Sequence, residues 1–119
     1  MDKLFFTMLL ILSATFLFSD ESIVGFWQTG KNNTVVEIYE KDGLFFGKVI
    51  KSKKVGASIG KDLITNCRLI DGKYYGELNN LKSNETFNII LSTKEEDIEI
   101  AVLLGFFKQK KIWSRHVEE

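Results

Sequence analysis

The chain holds one thiol, Cys67, and one imidazole, His116. A cysteine and a histidine can form a nucleophilic dyad in which the imidazole takes the thiol proton. One of each cannot fill a zinc shell without carboxylates, and no spacing here supplies them. Strand alternation turns Cys67 inward as a small hydrophobe and sets His116 on the face opposite Trp113 and Arg115, so the dyad is not expected. Glu95-Glu96-Asp97 reads as a solvated turn. No glycine-rich phosphate loop, nucleophile elbow or metal-ligand spacing is present. The expectation is a protein that is not an enzyme, needs no cofactor or metal, and works by binding.

The residues suited to binding lie about Asp42-Gly43. That dipeptide tolerates the positive φ that a two-residue type I′ turn needs at both positions, so it predicts a hairpin. A two-residue turn pairs Tyr39 with Phe46, Glu37 with Lys48 and Val35 with Ile50. An ion pair then sits on a face that is otherwise apolar or aromatic. This face either lines a polar cavity, with Val35, Tyr39, Phe46 and Ile50 as apolar wall and Glu37 and Lys48 orienting a ligand's polar end, or is the wet outside. A longer turn with a bulge would shift the register. Two basic clusters, one from Lys48 to Lys61 and one at Lys108, Lys110 and Lys111, either rim a mouth for an anionic head group or protect edges and keep the chain soluble.

The elements that must position these residues are all strands. β-Branched and aromatic runs alternate with glycine, asparagine and aspartate every eight to twelve residues, which predicts strands over 23–29, 34–41, 44–52, 63–70, 73–78, 86–93, 97–104 and 106–116. Asp71-Gly72 predicts a second hairpin, pairing Leu69 with Tyr74, Cys67 with Gly76 and Thr65 with Leu78. Phe87, Ile89 and Leu91 share one face with Ile98, Ile100, Val102 and Leu104. Eight antiparallel strands hide their edges best by closing into an all-β, up-and-down barrel, with a two-sheet sandwich as the alternative. Eight is also the count at which a barrel can just hold one small ligand.

Sixteen basic and sixteen acidic groups leave no net charge, hence no long-range attraction for nucleic acid or acidic lipid. The first residues are set apart from the fold. Met1-Asp2-Lys3 precedes an apolar run, Leu4 to Leu12, broken only by Thr7, and small residues follow to Ser19. This reads as a signal peptide over 1–19, too short for a membrane span, with cleavage after Ser19. Removing 19 of the 119 residues leaves 100 for one domain, 20–119, in a secreted or periplasmic setting with no stable membrane anchor.

Gly25-Phe26-Trp27 opens the first strand and Trp113-Ser114-Arg115 closes the last. This pairing resembles the G-x-W start and late arginine of lipocalin-like barrels. With Val36 to Tyr39 and Gly47-Lys48-Val49, the chain more closely resembles an uncharacterised family of small secreted bacterial proteins with a lipocalin-like barrel. The resemblance implies that Trp27 plugs one end, that Arg115 stacks on it, and that Gly25 leaves them room beside Trp113. The connection Lys53 to Asp62 is shorter than in that family and lacks its proline.

The function expected is binding of a small hydrophobic or amphipathic molecule, anionic if the lysines contact it. A protein-protein interaction module using Phe26, Ile112 and Tyr75 is the alternative. Nucleic acid is not an expected partner, and an exposed strand would allow a homodimer.

Overall fold

Four two-residue turns set the strand order. At Asp42-Gly43 the φ angles are 55° and 82°, and at Asp71-Gly72 they are 49° and 84°. Both positions of each turn are left-handed, as a type I′ connection requires. Glu95-Glu96 and Gly105-Phe106 make the other two tight links, between Lys94 and Asp97 and between Leu104 and Phe107.

The structure, a computed structural model, describes residues 22–117. The expected signal peptide and its cleavage point lie outside the described residues. The strands are β1 (Gly25–Gln28), β2 (Val35–Lys41), β3 (Leu44–Lys51), β4 (Asp62–Ile70), β5 (Lys73–Asn79), β6 (Thr86–Lys94), β7 (Asp97–Leu104) and β8 (Phe107–Arg115). Each pairs antiparallel with the next, and β8 returns to β1, giving a closed up-and-down barrel. The barrel, not the sandwich, is the fold.

Closure rests on few pairs. β1 and β8 share only Trp27 with Arg115 and Gln28 with Ser114, whereas β7 and β8 pair over eight positions. β1 is also the shortest strand, so the seam is the narrowest part of the wall.

The interior is one contiguous apolar cluster. Val36, Ile38, Phe45, Ile64, Tyr74, Ile89, Leu91, Ile98 and Ile100 belong to it, with Trp27 and Trp113. Phe45 and Tyr74 meet edge to face, ring centroids 5.1 Å apart. The β6 and β7 faces follow the alternation read from sequence.

Two bulges change the expected registers. In the first hairpin Tyr39 faces Phe46 and Glu37 faces Lys48, as the turn dictates, but a bulge between Val35 and Val36 pairs Val35 with Lys51, not Ile50. Both Val35 and Val36 are buried as a result. In β4, Asn66 adopts φ 55° and the register slips, so Thr65 faces Glu77 and Ile64 faces Leu78. An extra residue against one partner strand redirects the side chains that follow it. The expected pairing of Thr65 with Leu78 is therefore replaced, and Ile64 takes the inward position.

Candidate functional site

The wall expected from the first hairpin lies on the outside. Val36, Ile38, Phe45 and Val49 point into the barrel, and Gly47 lies among them with Val36 and Ile64 side chains against its Cα hydrogens. Alternation then turns Glu37, Tyr39, Phe46, Lys48 and Ile50 outward, where all five are half-buried. Of the six residues expected to line a cavity, only Val35 is buried, and its bulge separates it from the rest. The physical reason is the ion pair itself. Glu37 Oε1 and Lys48 Nζ stand 4.0 Å apart with roughly a third or more of each side chain in water, a loose pair that an apolar interior would not hold.

These residues do form a cluster. Tyr39 and Phe46 stack with centroids 5.7 Å apart, and Lys48 Nζ sits 5.4 Å from the Tyr39 ring centre. The Tyr39 hydroxyl donates to Asp62 Oδ1 at 2.8 Å, tying the hairpin to the start of β4. Partial burial, then that bond and the charges of Asp62 and Glu37, hold the phenol above its usual pKa. Every polar group here already has a partner within the cluster, so it reads as a self-satisfied outer surface.

At the barrel end bearing the Asp42, Asp71 and Glu95 turns, the closure geometry is specific. Arg115 Cζ lies 4.1 Å from the Trp27 ring centre. Its Nη1 donates to the Val24 carbonyl at 3.0 Å and its Nη2 to the Ser22 carbonyl at 3.3 Å. The Trp27 indole N–H donates to the Ile23 carbonyl at 2.9 Å. Gly25 has φ 140°, and a Cβ there would stand 2.6 Å from Arg115 Nη1, so only glycine leaves the guanidinium its place. Trp113 is buried beside Ile98, its cross-strand partner. The expected plug residues thus meet at one end, and they hold the wall together.

The opposite end is different. Leu78 is next to the end of β5, Phe87 next to the start of β6 and Leu104 at the end of β7, all on the inward face and all half-buried against the core, on which Leu63 also packs. β8 completes this wall with unexpected chemistry. Because Ile98 faces Trp113 and Ile100 faces Lys111, the inward face of β8 carries Phe107, Gln109 and Lys111 above Trp113 and Arg115. Lys111 is half-buried, less exposed than both its outward neighbours Lys110 and Ile112. Lys110 has Glu99 at 3.7 Å. No carboxylate pairs with Lys111 among the described residues. Counting back by twos from Trp113 would have singled out Lys111 in the sequence. The run Lys108 to Lys111 obscured it by looking uniformly solvated.

At this same end, Lys31, Lys54 and Lys82 converge from three different loops. Close approach of the Lys82 ammonium, with the charge of Lys31 beyond it, holds Lys54 below the usual lysine pKa.

The remaining candidates are quickly placed. Cys67 is fully buried inside, and burial pushes its thiol up to about 11. His116 is half-buried at the seam, its backbone N–H donating to the Phe26 carbonyl at 2.9 Å, while Cys67 pairs with Phe45 across the β3–β4 ladder. They do not form a dyad. No group of metal-ligating side chains gathers among the described residues. Of the residues named for a protein contact, Ile112 and Tyr75 are exposed and Phe26 is half-buried. Tyr75 borders an open outer groove of about 440 Å³ with Ile90 and Leu103, edged by Asn66, Glu77 and Asn88.

Comparison of the chain with protein-family models, with curated proteins and with solved structures gives no match. The eight-stranded barrel is established by the structure. The lipocalin-like resemblance gains nothing further from these comparisons.

Proposed function

We propose that the protein binds a small amphipathic anion, non-catalytically, on the inner wall of the barrel at the end away from the Trp27 plug. One observation carries this reading: Lys111, half-buried on the inward face beside Ile100, lacks a carboxylate partner among the described residues. A cation on an apolar wall is stabilised by an anion that brings its own apolar tail. Leu78, Phe87 and Leu104 supply the wall for the tail, with exposed Phe107 at the rim, and exposed Gln109 adds a hydrogen-bonding group one step toward the mouth. The apolar start of the chain supports action outside the cytoplasm, after removal of residues 1–19.

The test is titration with dodecanoate and with dodecanol, read by the fluorescence of Trp113, two residues from Lys111 on the same face. Dodecanoate should saturate the signal. Lys111→Met should weaken dodecanoate by roughly tenfold or more, the loss of one charged hydrogen bond of about 1.5–3 kcal/mol, and leave dodecanol within a factor of about two. A chain that gives no saturable response, or a Lys111→Met variant that binds dodecanoate unchanged, overturns the reading.

A further inference from the structure

The four connections at the mouth end are 29–34, 52–61, 80–85 and 105–106. They carry Lys31, Lys53, Lys54, Lys61 and Lys82 against a single acid, Glu85. The three turns at the plug end carry Asp42, Asp71, Glu95 and Glu96, with Lys41, Lys73, Lys94 and Arg115 beside them, so this pole is of mixed charge. The formal neutrality of the chain hides this difference. A barrel with an excess of cations at one pole and none at the other is oriented by a charged surface even when its net charge is zero.

The cationic pole also bears the most exposed apolar side chains. Phe106, at the tip of the β7–β8 turn, and Val55, in the β3–β4 loop, are essentially fully in water at 105% and 95% exposure. Phe107 and Ile59 stand out from the same pole. Lys54 is crowded by Lys82 and Lys31, three like charges drawn from separate loops that an extended anionic surface would relieve. Phe106 and Phe107 could stack on a nucleobase but aliphatic Val55 and Ile59 could not, whereas hydrocarbon accepts all four.

We propose that the mouth end docks on the surface of an anionic lipid bilayer, with Phe106 and Val55 entering the interface and the loop lysines against the head groups. Docking of this kind is peripheral and reversible, and it places the inner wall of the barrel toward the lipid. It goes beyond the ligand reading and stands whether or not Lys111 takes an anion.

The test is co-sedimentation of the full chain with vesicles of 3:7 phosphatidylglycerol to phosphatidylcholine and with phosphatidylcholine alone. Binding should require phosphatidylglycerol and fall with added salt. The double variant Lys54→Glu/Lys82→Glu should bind about twenty-five-fold more weakly or worse, since each lysine near such a surface contributes on the order of fivefold. Phe106→Ser should weaken binding severalfold with the salt dependence kept. All three positions are exposed, so circular dichroism should show these variants folded. Phe106→Trp should shift its emission to the blue only with the anionic vesicles. Lys111→Met should bind vesicles as the parent does, which separates this proposal from the ligand reading. Vesicle binding that survives both the lysine and the Phe106 substitutions belongs to another part of the chain and overturns the proposal. So does equal binding to phosphatidylcholine alone.

Discussion

Replacing Arg115 by alanine should open the barrel at its seam. The guanidinium stacks on Trp27 at 4.1 Å and donates to two carbonyls of the segment before β1, at 3.0 and 3.3 Å. A partly buried cation–π contact contributes on the order of 1 kcal/mol. Both hydrogen bonds are exposed; the shorter adds about as much at most, and the longer adds less. Loss of all three should cost about 2–3 kcal/mol, since only two residue pairs otherwise join β1 to β8. For a domain of this size each kcal/mol moves the thermal midpoint by roughly 4–8 °C, so a fall of roughly 10–20 °C is expected. Urea titration followed by tryptophan fluorescence and far-ultraviolet circular dichroism measures it, and coincident curves from the two probes would license a single free energy. Gly25→Ala tests the same clamp while leaving the arginine in place. Its Cβ would stand 2.6 Å from Nη1 at a φ of 140°, so Arg115 must give way. An Arg115→Ala midpoint within about 3 °C of the parent would show that the stack and its bonds contribute almost nothing to closure, and would refute this account.

Other expectations follow from the interior and the outer wall. Cys67 should resist a thiol reagent at pH 8 in the folded protein and react once denatured, because burial holds its pKa at about 11 against an ordinary 9.0. The folded state keeps that proton longer than the unfolded chain, so stability should fall as pH rises from about 9 to about 11, by about 2–3 kcal/mol, and a Cys67→Ala variant should lack that slope. Gly76→Ala should destabilise by about 1–3 kcal/mol, as a Cβ there would press on Cys67 Sγ and stand 2.9 Å from Cys67 Cα; Cys67→Ala should restore only the side-chain part in a double-mutant cycle. Lys94 Nζ at 2.9 Å holds the Glu99 carboxyl below the usual range, so its contribution is present at neutral pH and lost as acid protonates it. Glu99→Gln should therefore soften the acid limb of the stability profile, and an unchanged limb would deny the pair any role. At Asn66, φ 55° favours glycine over a β-branched residue, so Asn66→Gly should melt above Asn66→Val.

The strands and tight turns were legible because their signals are local. Asp42-Gly43 and Asp71-Gly72 name their own turn type, and the alternation from Phe87 to Leu104 fixes both faces of a hairpin without outside help. The first hairpin was not legible in the same way. Val35-Val36 and Phe45-Phe46 offer an apolar residue to either face, and the inward position between Phe45 and Val49 is Gly47, which has no side chain to betray it. A bulge then buries both valines, and periodicity cannot see a bulge. The Glu37–Lys48 pairing was correctly spaced, but which side of the wall it occupied depended on that hidden register. Lys111 was missed for the converse reason: its neighbours are lysine and glutamine, so an inward cation looked like part of a wet strand.

The narrow seam also orders events in time. Arg115 reaches back 91 residues to the Val24 carbonyl and 93 to that of Ser22. No part of that clamp exists until seven strands have been made and the eighth is nearly complete. Hairpins about Asp42-Gly43 and Asp71-Gly72 can form as soon as their residues emerge, but β1, with four residues, has no lasting second neighbour to hold it. Contacts this distant in sequence form late because the intervening chain must first be ordered. A folding chain is therefore an open sheet with a free edge until Arg115 docks against β1 and the wall closes.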